Sequence, residues 1–116
     1  MINTVAAAVA LVRAVDHPQL RTMIDCSAAG LVETESVPDL IDRWLPTGLI
    51  AHIQFNDPNR RGPGQGSMQF APIVAALRRN GYAGVIAVEP FEYVPDGAGS
   101  AAFCAGYLRA LQEGQS

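Results

Sequence analysis

Between Leu49 and Gly66 the chain changes character twice, and few folds accommodate both changes. Leu49 to Phe55 reads as a buried strand. It breaks into a polar loop that carries Asp57, Asn59, Arg60 and Arg61. Gly62-Pro63-Gly64-Gln65-Gly66 closes that loop and must turn sharply into the next helix. A strand end that releases polar groups just before a Gly-rich turn and a helix is where α/β proteins place their chemistry. The plain alternative is a surface connection. The loop's low apolar content and high charge and glycine content weigh against it.

The rest of the chain repeats the same alternation. Val5, Ala8, Val9 and Val12 fall at helical spacing, with Asn3 or Thr4 as N-cap. Asp16-His-Pro-Gln19 is a turn, and His17 in it reads as a loop residue rather than a ligand. Leu20 to Ile24 is a short buried strand ending at Asp25, and Ser27 to Thr34 reads as a loop with little pattern. Ser36 opens a helix with Pro38 and Asp39 in its first turn. Val37, Leu40, Ile41 and Trp44 form its stripe, and Pro46 and Gly48 stop it.

After the glycine-rich turn, a helix capped by Ser67 or a neighbour carries Phe70, Ile73, Val74 and Leu77 on one face and ends at Asn80-Gly81. Val85 to Val88 is the third strand, ending at Glu89-Pro90, and Pro95 to Gly99 is a loop. The last helix has the stripe Cys104, Tyr107, Leu108 and Leu111, and its tail from Glu113 to Ser116 should fray. One helix plus three strand-helix units predicts an α/β fold of parallel strands with right-handed crossovers.

Composition narrows the function classes. At 116 residues the chain is one domain or part of one. Half of it is apolar and 16% charged, which describes a globular chain rather than a disordered one. The net charge of −3 argues against nucleic acid or an anionic membrane as partner. All eight basic residues are Arg, which reflects composition bias rather than function. Met1 to Val15 lacks the positive start and the cleavage site of a signal peptide, and no run reaches the roughly 18 apolar residues of a membrane span. Cys26 and Cys104 form neither a metal spacing nor a disulfide framework, so the cytoplasm is the expected compartment.

The strands place three polar side chains at their tips: Asp25, Gln54 and Glu89. In parallel α/β folds all strand C-termini lie at one end, so the three can converge. Two carboxylates and an amide oxygen form a hard, oxygen-rich set that suits Mg²⁺ or Mn²⁺ better than zinc. Asp25 is by itself either an N-cap-like structural acceptor or a site residue. In the second strand Ile50, His52 and Gln54 share one face, and Ala51, Ile53 and Phe55 the other. His52 and Gln54 there either line a cavity or are hydrogen-bonded core polars.

The run Met23-Ile-Asp25, His52 through Arg60, Pro63-Gly-Gln-Gly66, Phe70, Gly81-Tyr82 and Val88-Glu89 resembles the C-terminal part of the xylose isomerase-like barrels. It is similar in particular to the sugar phosphate isomerase/epimerase family, which includes ketose 3-epimerases of the tagatose/psicose type. The Asn-Arg-x-x-Pro-Gly-x-Gly element is the specific part. The resemblance implies a (β/α)₈ TIM barrel, carbohydrate metabolism, a sugar substrate and one divalent metal, Mn²⁺, Mg²⁺ or Co²⁺. It implies metal ligands at the ends of the last four strands: glutamate, aspartate, histidine and glutamate. Carried over, Asp25 is the aspartate and Glu89 the final glutamate, which is also a catalytic acid/base around an enediol. Arg60 matches the arginine that binds substrate, and His52 and Asp57 are further substrate-binding candidates.

The departures from that pattern are informative. Gln54 stands where the family has its metal histidine, and is a weaker ligand. Ala28 replaces a substrate-contacting histidine, Gln69 replaces an aspartate, and the first glutamate has no counterpart. His52 lies two residues deeper than Gln54, about 6–7 Å down the wall. A complete barrel needs roughly 250 residues, so residues 1–116 correspond to a partial barrel domain without its N-terminal half. Such a chain is expected to be a fragment, or to complete its sheet with the missing half or with other copies. A non-catalytic barrel portion is the second reading, and a relative of AP endonucleases acting on DNA the third.

Overall fold

The computed structural model describes residues 1–114 as three parallel strands in the order β1-β2-β3. The strands are β1 (Thr22–Asp25), β2 (Ile50–Phe55) and β3 (Ile86–Val88), each followed by helix. The helices are α1 (Val5–Val15), α2 (Cys26–Val32), α3 (Val37–Trp44), α4 (Phe70–Arg79) and α5 (Gly97–Gly114). All strands run one way because every connection between them contains a helix.

The helix boundaries follow local chemistry. Thr4 Oγ1 accepts from the Ala7 N–H and opens α1. Ser36 Oγ accepts from the Asp39 N–H and donates to the Asp39 carboxylate, so both polar groups of that first turn are satisfied. A 3-10 turn over Leu45–Thr47 and the left-handed Gly48 end this segment. No side chain caps α4, whose N-cap is Gln69 rather than Ser67.

Two expectations are corrected. Ser27 to Thr34 is not a loop: most of it belongs to α2, started by the Asp25 side chain, which accepts from the N–H groups of Ser27 and Ala28. Asp25 thus ends the strand and begins the helix with no linker. Likewise α5 starts at Gly97, inside the stretch read as the loop Pro95–Gly99, where Asp96 Oδ1 accepts from the Gly99 N–H. Of the tail expected to fray, Glu113 and Gly114 are helical, and Gln115 and Ser116 lie outside the described residues.

The core lies between the sheet and α1–α4. Ile24, Ile53, Phe55, Leu40, Ile41, Phe70 and Ile73 are its centre, with the Phe55 and Phe70 rings 5.0 Å apart. One register detail changes the expected facing of β2. Thr22 pairs with Ile50 and Met23 with His52, so β2 spends one extra residue, Ala51. The extra residue inverts the alternation N-terminal to it. Ile50 therefore does not share a face with His52 and Gln54: it is buried in the cluster that holds Ile53 and Phe55, and Ala51 is the exposed one.

Candidate functional site

The three strand tips meet. Asp25 is opposite Gln54 in the β1–β2 ladder, and Gln54 is opposite Ala87 in the β2–β3 ladder, two residues before Glu89. Gln54 Nε2 donates to Glu89 Oε2 at 2.8 Å and lies 3.5 Å from Asp25 Oδ2. The amide N–H₂ therefore sits between two carboxylates.

The two oxygens of Asp25 are differently engaged. Oδ1 accepts from Ser27 N at 3.0 Å, Ser27 Oγ at 2.7 Å and Ala28 N at 3.3 Å. Oδ2 faces Gln54. The N-cap reading of Asp25 holds: one oxygen anchors α2, and the other faces the neighbouring strand tips. The helix start fixes the carboxylate's rotation, so Oδ2 is turned toward Gln54.

A divalent cation can be tested against this donor set. Asp25 Oδ2, the Glu89 carboxylate and the Gln54 amide oxygen, once the amide is turned, give three hard oxygen donors on one side. That fits part of the shell of Mg²⁺ or Mn²⁺, which take six oxygens or more nearly six ligands than three. Among the described residues no group of three or more His, Cys, Asp or Glu side chains could hold a metal.

The other candidate residues lie around this trio. His52 is half-buried in β2 opposite Met23, two residues below Gln54. Asp57 is 1% exposed and faces the loop's own backbone. Its Oδ2 accepts from Met68 N at 3.1 Å, and its backbone N–H donates to Arg61 O. A Cβ on Gly66 would strike this carboxylate, so glycine at 66 and aspartate at 57 form one unit. Gly64 has φ +88° and lies against the Tyr107 ring, which ties the turn to α5.

Arg60 is exposed, with φ +75°, a left-handed conformation costly for a residue with a side chain. That turn directs its carbonyl to the N–H groups of Phe91 at 2.8 Å and Glu92 at 2.9 Å. Its guanidinium lies 5.5 Å from the centre of the Phe91 ring and 3.5 Å from Glu92 Oε1. Arg61 approaches the same carboxylate at 3.8 Å. The loop after β2 is thus locked to the loop after β3.

Asn56 and Glu92 are not singled out by the sequence. Asn56, the first residue past β2, is 1% exposed, and its Oδ1 accepts from Glu89 N at 2.7 Å. The Asn-Asp pair opening the polar loop is a weak signal for it, since loop asparagines are common. Glu92 follows an exposed aromatic in a stretch without periodicity, and only the folded loops bring it to Arg60 and Arg61. A groove of about 560 Å³ between β3 and α5, lined in part by Ile86, Val88, Glu89, Cys104 and Leu108, reaches the site from the side. Burial pushes the Cys26 and Cys104 thiols above their ordinary range, so neither is a ready thiolate.

Known proteins resemble this chain in sequence and in fold. D-psicose 3-epimerase from Agrobacterium fabrum is 35% identical over 91 residues, covering 78% of this chain and 30% of that protein. The enzyme of the same name from Ruminiclostridium cellulolyticum is 31% identical over 91 residues. A crystal structure of D-psicose 3-epimerase in the presence of D-fructose superposes with a TM-score of 0.71 at 34% identity, over 80% of this chain and 31% of that one. The apo structure of 3-keto-D-glucoside 4-epimerase from E. coli covers 97% of this chain and 41% of its own, with TM-score 0.78 and 25% identity. The chain spans about 30% of the length of the curated relatives it matches. The family model described as xylose isomerase-like TIM barrel matches residues 1–110. With that match over nearly the whole sequence, the chain belongs to the xylose isomerase-like TIM barrel family.

Proposed function

We propose that the chain supplies one wall of a sugar isomerase or epimerase site that moves a proton next to a ketose carbonyl through an enediol. The observation that carries this reading is the meeting of Asp25, Gln54 and Glu89 at the C-terminal ends of the strands, with the Arg60 loop tied beside them. Glu89 is the base that takes the proton and returns it. Gln54 donates to Glu89 Oε2 and so holds that carboxylate to one orientation. Arg60, with five N–H donors on a planar fork, binds substrate oxygens. His52 forms the floor below Gln54. Asp57 acts through the loop it braces rather than by touching substrate.

Asp25 Oδ2, Glu89 and the Gln54 amide oxygen would hold a divalent metal, Mn²⁺, Mg²⁺ or Co²⁺. When bound, such an ion would polarise the carbonyl and stabilise the negative charge of the enediolate. Gln54 is neutral and is already engaged as a donor, so the metal should bind weakly to this chain.

The test is a chimera in which the matching part of the Agrobacterium enzyme is replaced by residues from this chain. Incubated with a ketohexose in D₂O, it should exchange the proton next to the carbonyl, and Glu89→Gln should abolish that exchange. A chimera that folds yet exchanges no proton, even with Gln54→His, would favour the second reading, a wall that binds without catalysis. The Gln54 amide between the two carboxylates is the observation on that side. Three strands close no barrel, so the remaining wall has to come from other strands. The edges of β1 and β3, with Val85 76% exposed beside β3, would be covered by further barrel strands or by other copies. Sedimentation equilibrium of the chain should show association, and a cooperative monomer at tens of micromolar would refute this.

A further inference from the structure

We propose that Asn56 is the positioning residue for Glu89. The role rests on the reading of Glu89 as the proton-transferring group, while the geometry that carries it stands without that reading. The β2–β3 ladder ends at the pair Phe55 and Val88. Beyond it the tip of β3 has few ways to be held, because β3 is three residues long and Pro90 follows Glu89 with no N–H to give. The next two N–H groups, of Phe91 and Glu92, go to Arg60 O. The Glu89 N–H is therefore the last backbone donor at the tip itself, and Asn56 Oδ1 accepts it at 2.7 Å.

That bond fixes the peptide from which the Glu89 side chain leaves. Held there, the side chain reaches Gln54 Nε2 with Oε2 at 2.8 Å. Asn56 itself cannot wander, since it is 1% exposed and continues directly from Phe55, which is wholly buried. Its other polar atom strengthens the argument. Asn56 Nδ2 is buried with no hydrogen-bond partner among the described residues. A buried donor without an acceptor is a cost that an apolar residue would avoid. The acceptor on the same amide, seated on the Glu89 N–H, is what the asparagine contributes in return.

The experiment is solution NMR of the full chain, with neither sugar nor metal present. In the unaltered chain the Glu89 α–β couplings should report a single side-chain rotamer. NOEs should connect the Gln54 side-chain amide to the Glu89 γ protons. Asn56→Ala should average the Glu89 couplings and remove those NOEs, while the Phe55–Phe70 ring contacts persist. Asn56→Asp keeps an acceptor in the same place and should restore the single rotamer. The proposal is overturned if Asn56→Ala leaves the Glu89 rotamer unchanged, or if Asn56→Asp behaves like Asn56→Ala. Should the alanine variant not fold, the through-hydrogen-bond coupling between Glu89 N and Asn56 Cγ in the unaltered chain decides instead, and its absence overturns the proposal. Because no substrate is involved, failure here leaves the isomerase reading untouched, and failure of the chimera leaves this assignment untouched.

Discussion

Phe55 and Gln54 are consecutive residues of β2 that live in different solvents. Phe55 is wholly buried against Phe70, within the apolar cluster between the sheet and its helices. Gln54 is half-buried on the opposite face, between two carboxylates. The helix-covered face carries the burial that keeps the sheet together. The other face carries the polar side chains that meet at the strand tips. A parallel strand whose two faces are both normally covered shows here which of its faces the helices own.

The sharpest way to break this comparison is to truncate each residue in turn. Phe55→Ala should cost about 3–5 kcal/mol, the usual loss for a fully buried aromatic. Gln54→Ala should change stability by no more than about 0.5 kcal/mol, as for other sites away from the core. Urea denaturation gives both numbers, and equal costs would mean that the two faces are not distinct. Next in size is Gly66→Ala, whose added methyl meets the buried Asp57 carboxylate. It should cost roughly 1–3 kcal/mol, as overpacking does, without altering the strand tips. A neutral outcome in the same denaturation series would show that the loop yields.

Gln54→His sharpens the comparison from the polar side. Titration calorimetry should find weak or no Mn²⁺ binding by the unaltered chain and at least about tenfold tighter binding by the variant, which corresponds to about 1.4 kcal/mol. Micromolar affinity before the substitution would contradict the reading of Gln54 as a poor ligand. The smallest effect lies outside both faces. Asp42 accepts from Arg79 Nε at 2.8 Å, Arg79 Nη2 at 2.6 Å and Asn80 Nδ2 at 2.7 Å, and the Arg79 hydrogen bond holds its carboxyl below the ordinary 3.8. A carboxyl with a lowered folded value adds stability above its unfolded value and loses it as pH falls through the folded one. The pair is exposed, so the loss below about pH 4 should be slight, weaker in high salt and absent in Asp42→Asn. Acid denaturation of both proteins at two ionic strengths checks it.

What the sequence made legible follows the same division. Asp25, Gln54 and Glu89 stood out because each lies at or next to the end of an apolar run, and runs are what periodicity detects. The stripe of α4 was legible for the same reason, since Phe70, Ile73, Val74 and Leu77 are all buried. Helix α2 was hidden: Cys26–Val32 is short, its buried residues are only Cys26 and Ala29, and its cap is a residue already claimed for the site. Asp57 looked like a free loop carboxylate, because no local pattern shows that the backbone ahead of α4 will close over it. Asn56 offered only the weak signal of its Asn-Asp pair, because its partner is 33 residues away. Pairing across that distance exists only once β2 and β3 are neighbours.

Ala51 also has a consequence for how such a strand can change over generations. As the unmatched residue of the β1–β2 ladder, it sets the phase between Ile50 and everything after it. Most single substitutions along β2 act on one side chain. Losing the Ala51 codon would instead leave Ile50, Ile53 and Phe55 alternating strictly with His52 and Gln54, so the ladder would close without the bulge and every facing would be kept. Losing the Ile53 codon would also close the ladder, but it would bring His52 to the core position that Ile53 holds. The bulge therefore makes the strand tolerant of losing its least conspicuous alanine and intolerant of the same loss two residues later.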